Sequence, residues 1–256
     1  MNLELRNRRI LVTGSSRGIG HGIATAFLAE RARVAVTGRD RVVLRKLLRE
    51  WAPKFGADRI LACPGDLTSS AVVSRVLGRI KKTWGGLDVL VLNLGSGRSV
   101  PGLPDAAEWN RVLGLNLVAA MDTLRLATDL LSQGQKPSVV LVGSIAGLEA
   151  LGAPIAYGAA KAGLHHAMKA AARQLADQGI RVNMVAPGNI FFPGGTWDKK
   201  IKEAPEATTA MLEAQVPLRR FGTAKEVADA VVFLASAQAS FITGASLPVD
   251  GGQTRT

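Results

Sequence analysis

Short apolar runs alternate with longer stretches whose apolar positions recur at helical spacing, along nearly the whole chain. Ile10–Val12, in RRILVTG, reads as a buried strand stopped by glycine. GHGIATAFLAE follows, with Ile23, Ala24, Phe27 and Leu28 on one helical face. RVAVTG, RILACPGD and LDVLVLNLG read as further strands, separated by helices over RVVLRKLLREWA and SSAVVSRVLGRIKKTW. The alternation continues with a helix over about Glu108–Leu131, strand SVVLVGS, a helix over about Tyr157–Gln178 and strand IRVNMVAPG. AKEVADAVVFLAS is a last helix and GASLPVDGG a last strand and turn, while most of Phe191–Arg220 fits no strand and predicts short helices. Strands apolar on both faces and separated by helices predict a doubly wound α/β fold, a parallel sheet covered on both sides. Ligands of such sheets bind beyond the carboxyl ends of the strands. The loops after Val12, Val36, Leu94, Val142 and Ala186 are therefore expected to line one crevice.

The 256 residues suit a single domain over 1–256. The 28 glycines and 11 prolines are dispersed, with no repeat or long linker. The one cysteine, Cys63, has no disulfide partner in its own chain and reads as an inert buried thiol. His21, His165 and His166 show no metal-ligand spacing, so no metal is expected. No signal core precedes the first strand and no apolar run is long enough to span a bilayer, which points to a soluble, cytoplasmic protein. Net charge is +12, of which residues 1–60 carry +8 from thirteen Lys/Arg against five Asp/Glu. Such a surplus attracts anionic partners. The charges are scattered and no nucleic-acid motif accompanies them, so solvated helix faces and a cofactor phosphate site are expected instead.

TGSSRGIG, with Gly14, Gly18 and Gly20, stands at the first strand-to-helix turn. Glycine permits positive φ and close backbone approach, and the helix N-terminus favours a phosphate. No G-K-[ST] ending follows, which excludes a nucleoside-triphosphate loop. At the end of the second strand, where an NAD site places an acid for the ribose 2′-hydroxyl, the chain reads TGRD. Arg17 and Arg39 suit a 2′-phosphate, so NADP(H) is favoured over NAD(H), with Asp40 a complication one residue on.

YGAAK places Tyr157 and Lys161 four apart on one helical face, and Ser144 ends a strand thirteen residues earlier. An ammonium near a phenol favours the phenolate and lowers its pKa from about 10. Tyr157 is the only tyrosine, and is suited to pass a proton to or from a carbonyl oxygen that Ser144 holds.

With these pieces together the sequence resembles the short-chain dehydrogenase/reductase (SDR) family over nearly its whole length. The likeness rests on TGSSRGIG, GDL at Gly65–Leu67, NLG at Asn93–Gly95, LN at Leu115–Asn116, Ser144, YGAAK, APG at Ala186–Gly188 and FITGASLPVDGG. It implies a Rossmann fold. It also implies that Tyr157 is the acid/base, that Lys161 holds the nicotinamide ribose and lowers the tyrosine pKa, that Ser144 orients the carbonyl, and that Asn116 helps hold a relay water. Gly14, Ser16, Ile19 and Gly20 would seat the pyrophosphate; Asp66 and Leu67 would flank the adenine; Pro187, Gly188 and Ile190 would border the nicotinamide. The family's usual N-N-A-G reads LNLG here, Leu92–Gly95; Asn93 and Gly95 remain, so cofactor contact is expected to survive, while Leu94 and the loop Ser96–Gly102 are expected to reshape the pocket. Arg98 in that loop reads as a solvated arginine or as a contact for an anionic substrate.

Residues 190–220 are expected to form a substrate lid, in which Phe192 and Trp197 wall the substrate or pack the lid onto the body, and Asn189, just before it, is expected to face the substrate. The resemblance implies NADPH-dependent reduction of a small-molecule or acyl-thioester ketone, with 3-oxoacyl thioesters first, by 3-oxoacyl-acyl-carrier-protein reductase-like members. A sugar or secondary-alcohol dehydrogenase and a catalytically silent NADP-binding sensor are the alternatives. Apolar faces on the Asn116 helix and small residues on the Tyr157 helix, with the resemblance, imply a homotetramer or homodimer.

Overall fold

The computed structural model describes residues 2–98, 100 and 102–255. Among these the chain runs β1 (Arg9–Val12), α1 (Gly18–Ala29), β2 (Arg33–Gly38), α2 (Arg41–Phe55), β3 (Ile60–Pro64), α3 (Ser70–Trp84) and β4 (Val89–Leu92). The second half runs α4 (Ala106–Leu113), α5 (Ala119–Ser132), β5 (Ser138–Val142), α6 (Ile155–Gln174) and β6 (Arg181–Pro187). It ends with β7 (Ile190–Phe191), α7 (Thr196–Glu203), α8 (Pro205–Gln215), β8 (Gly222–Thr223), α9 (Ala224–Ala235) and β9 (Ser246–Val249).

Seven of these strands form a parallel sheet in the order β3-β2-β1-β4-β5-β6-β9. Successive side chains of a strand point to opposite faces, and the two faces hold different residues. Ile10, Val12, Val34, Val36, Val89 and Val91 pack with α1, α2 and α9. Leu11, Ala35, Leu61, Leu90, Leu92 and Leu141 pack with α3, α5 and α6. Chain order reverses between β1 and β4, whose register pairs Val12 with Val91, and this opens the switch-point crevice at their carboxyl ends.

The helix ends follow the sequence. Asp40 caps α2 by accepting from the Val42 and Val43 amides, and Thr223 with Glu226 makes a capping box at α9. The stretch expected as one helix over Glu108–Leu131 is α4 and α5 joined by a π-helical turn at Gly114–Val118. The Tyr157 helix starts two residues earlier than expected and stops at Gln174, where a 3₁₀ turn takes over. The segment expected to lack strands over most of Phe191–Arg220 contains only the last residue of β7, which pairs with β8 over two residues, and holds the short helices α7 and α8.

At the opposite end of the sheet, buried Asp88 accepts from the Arg9 amide and guanidinium at 2.8, 2.9 and 2.6 Å and from the Gln135 amide at 2.7 Å. These bonds hold its carboxyl below the usual range although burial pushes it up. Cys63 is buried, and burial pushes its thiol up to about 11, as suits an inert packing residue. No helix of the described residues is long and apolar enough to cross a membrane.

Candidate active site

The glycine loop connects β1 to α1 at the switch point. Gly14 (φ +61°) and Gly18 (φ +58°) occupy the left-handed region that glycine enters without strain. A Cβ at Gly20 would run into the Asn93 amide and the Gly14 carbonyl, so α1 approaches the end of β4 only because Gly20 has none. Arg17 precedes α1 in extended conformation, and no side chain caps the helix. Residues without Cβ atoms at the approach and uncapped amides at a helix N-terminus fit a dinucleotide pyrophosphate.

Polar side chains lock this loop. Thr13 Oγ1 accepts from the Asn93 and Leu94 amides at 2.8 and 3.1 Å and donates to the Val91 carbonyl. Asn93 Nδ2 donates to the Thr13 and Gly14 carbonyls, both at 3.1 Å. Ser15 Oγ accepts from the Thr37 amide, and Thr37 Oγ1 accepts from the Gly14 amide. Asn93 thus braces the loop with the amide expected to face the cofactor. Thr13, Ser15 and Thr37, which the motif reading passed over, are the buried hydroxyls that hold it; their signal was polar residues closing otherwise apolar strands. Gly38 ends β2 against Ser16, where a Cβ would sit 2.8 Å from that side chain.

Arg17 and Arg39 are exposed, and among the described residues neither guanidinium has a hydrogen-bond or ion-pair partner. Asp40 spends its carboxylate on the amides of α2, so it does not neutralise Arg39. Asp66 accepts from Thr68, and Leu67 beside it is buried.

Across the crevice, Ser144 follows β5, and Tyr157 and Lys161 occupy successive turns of α6. The Ser144 hydroxyl is near enough to the Tyr157 phenol to favour its ionised form. Lys161 Nζ is buried, donates to the Val142 carbonyl at 3.0 Å and lies 5.8 Å from the Tyr157 ring centroid. The proton affinities differ from the sequence expectation. Burial raises the Tyr157 pKa, opposed only by the Ser144 hydroxyl, and burial pushes Lys161 down to about 8. Lys161 Nζ is engaged with the Val142 carbonyl, and the expected lowering of the phenol pKa by the lysine does not arise.

Asn116 lies in the π-helical turn, a local form common at functional sites. Its carboxamide bonds to Ser96 and Val112 rather than pointing into open space. A Cβ at Gly95 would sit 2.8 Å from Asn116 Oδ1 and 3.4 Å from Lys161 Nζ, so this glycine lets the β4 loop pass between them. Pro187 is buried at the end of β6, and Gly188 donates to the Val249 carbonyl. Ile190 is buried in the core beneath α9.

The substrate residues disperse. Leu94 leans on the core beside α5 and α6. Asn189 Nδ2 donates to the Met211 thioether Sδ at 3.6 Å. Trp197 stacks on Phe221 at 5.2 Å and carries Lys200 over its ring, packing the lid on itself. Phe192 sits in a Phe-Pro-Gly-Gly turn, closed by the Gly195 amide on the Phe192 carbonyl, and lays its ring against Gly18. It therefore faces the glycine loop. His21 packs on Trp51 at 4.9 Å, away from these groups.

A family profile described as enoyl-(acyl carrier protein) reductase matches residues 14–254. The chain is 34% identical over 262 residues to 2-(S)-hydroxypropyl-CoM dehydrogenase 3 of Xanthobacter autotrophicus, covering 99% of both chains. It is 34% identical over 254 residues to the 3-oxoacyl-[acyl-carrier-protein] reductase FabG of Escherichia coli, covering 98% of both. The L-sorbose reductase of Gluconobacter frateurii, solved with NADPH and L-sorbose, superposes with a TM-score of 0.93 at 28% identity over the whole of both chains.

Proposed function

The chain belongs to the short-chain dehydrogenase/reductase family, and from that premise we propose that it reduces a ketone to an alcohol with NADPH, Tyr157 donating the proton. The observation that carries this reading is the convergence of Ser144, Tyr157 and buried Lys161, whose Nζ lies 5.8 Å from the Tyr157 ring, at the mouth of a glycine loop that fits a dinucleotide.

When bound, the nicotinamide supplies the hydride. Tyr157 supplies the proton to the carbonyl oxygen, and its raised pKa keeps it protonated at neutral pH, the form reduction requires. The Ser144 hydroxyl would donate to the same oxygen. Lys161 would hold the nicotinamide ribose, and Asn116 holds the Ser96 loop on the other side of the crevice. Gly14, Ser16, Ile19 and Gly20 would seat the pyrophosphate, and Arg17 and Arg39, whose guanidiniums have no partner among the described residues, would grip a 2′-phosphate.

The likeness to a 3-oxoacyl-carrier reductase supports a 3-oxoacyl thioester or similar carbonyl as substrate. The exposed Val118 beside the π-helical turn and the small residues of α6 support a homodimer or tetramer packed through these helices. NADPH consumption with a panel of ketones tests the activity; no turnover of any of them would leave a cofactor-binding protein without catalysis.

A further inference from the structure

The β4 loop carries a cation that the reduction mechanism does not use. Gly97 lies against the acid: a Cβ there would sit 3.9 Å from Tyr157 Cζ. Arg98 comes next in the chain and is exposed.

Its backbone is tied on both sides. The Arg98 amide donates to Ser96 Oγ at 3.2 Å, and Arg111 Nη2 donates to the Arg98 carbonyl at 3.0 Å. Arg111 is itself held by Glu108, through Nε at 2.6 Å and Nη2 at 2.7 Å. Ser96 is gripped in turn by Asn116. The main chain at Arg98 is therefore anchored to the catalytic helices at two points, while its guanidinium has no partner among the described residues. The nearby acids are engaged elsewhere: Glu108 pairs with Arg111, and Asp105 caps α4 by accepting from the Glu108 amide at 2.8 Å.

We propose that Arg98 forms an anion subsite at the mouth of the reaction centre, so that the substrate is a short ketone carrying a carboxylate or sulfonate near its carbonyl. This rests on the ketone-reductase reading above and narrows it. Guanidinium presents paired donors that match the oxygens of such anions. One residue from Gly97, whose Cβ position lies 3.9 Å from Tyr157 Cζ, the Arg98 guanidinium is within a side chain's reach of an anion bound next to the reacting oxygen. Anchoring the backbone lowers the entropy lost when the side chain orders on its ligand.

The test compares 3-oxobutanoate and 4-oxopentanoate with their neutral amides as substrates for the NADPH-loaded protein. The anions are expected to be preferred in kcat/KM by about ten- to a hundredfold, the range of a charge-assisted hydrogen bond. Arg98→Gln should erase that ratio mainly through KM, Arg98→Lys should restore part of it, and added salt should shrink it. Arg45→Gln, an exposed arginine on α2, should leave the ratio alone. A wild-type protein with no preference, a ratio that survives Arg98→Gln, or a preference for a neutral 3-oxobutanoyl thioester over both anions would overturn the subsite. If no ketone of either charge is reduced, the reductase reading fails, and calorimetry with 3-hydroxybutanoate and its amide decides the subsite separately. Carboxylate binding lost in Arg98→Gln would still support it; equal binding by both proteins, or none, would overturn it.

Discussion

The Asn116 carboxamide grips the Ser96 backbone from both sides, its Oδ1 accepting from the Ser96 amide at 2.9 Å and its Nδ2 donating to the Ser96 carbonyl at 3.2 Å. A third bond, from Nδ2 to the Val112 carbonyl at 3.0 Å, satisfies a backbone group inside the helix that the π-helical turn disturbs. One buried side chain therefore sets both the helix irregularity and the loop that faces Tyr157.

Replacing Asn116 by Ala should release that loop. The expected stability loss is about 1–3 kcal/mol for buried groups left unpaired. The expected loss in kcat is larger than that implies, about tenfold or more, because small displacements near a reacting centre are costly. Thermal unfolding and steady-state kinetics on the same preparation check it; a variant that loses stability and keeps kcat would make Asn116 a purely structural residue.

Tyr157 is the only tyrosine, so its ionisation is visible as the phenolate absorbance of the whole protein. Burial raises its pKa, and the phenol should titrate with a midpoint above the ordinary value of about 10. Reduction needs the phenol and the reverse oxidation needs the phenolate, so the same shift favours reduction at neutral pH. A midpoint near 8 in the free protein would show that the Lys161 ammonium outweighs burial after all. Tyr157→Phe should remove the absorbance change and nearly abolish kcat while cofactor binding persists.

Arg39 and Arg17 should set the cofactor preference. With both changed to Gln, kcat/KM for NADPH should fall by about ten- to a hundredfold while that for NADH changes little. An unchanged ratio between the two cofactors would remove the arginines from 2′-phosphate recognition.

Asp88 should matter for stability and not for the reaction. Asp88→Ala removes the acid shared by half-buried Arg9 and buried Arg8, and leaving such donors without their partner costs about 1–3 kcal/mol. Its folded pKa is lowered, so the unfolded chain binds the proton more readily as pH falls. The stabilisation is thus present above the ordinary aspartate pKa of about 4 and is lost as pH drops through the lower folded value. Acid unfolding of wild type and variant should converge at low pH; parallel curves would place the pH sensitivity elsewhere.

The strands, their parallel order and the crevice were legible because each strand is a short apolar run with its own periodicity, and because the catalytic helix shows Tyr157 and Lys161 at i, i+4. The π-helical turn was not legible, since Gly114–Val118 keeps an ordinary helical composition and only the Asn116 bonds to Ser96 reveal the bulge. Phe192 looked like a substrate wall because it follows a crevice loop, yet the Pro-Gly turn aims its ring at Gly18. Leu94 looked like a pocket residue and packs into the core.

By itself the sequence determined the alternation of elements, the glycine positions where a Cβ cannot fit and the residue types able to move a proton, because these depend on local periodicity and on single side chains. The tertiary structure alone decided which way Tyr157 and Lys161 shift in proton affinity, which groups Asn93 and Asn116 hold, and that the acids near Arg98 are engaged with other groups. Those properties depend on desolvation and on contacts between segments remote in the chain, and no local pattern encodes them.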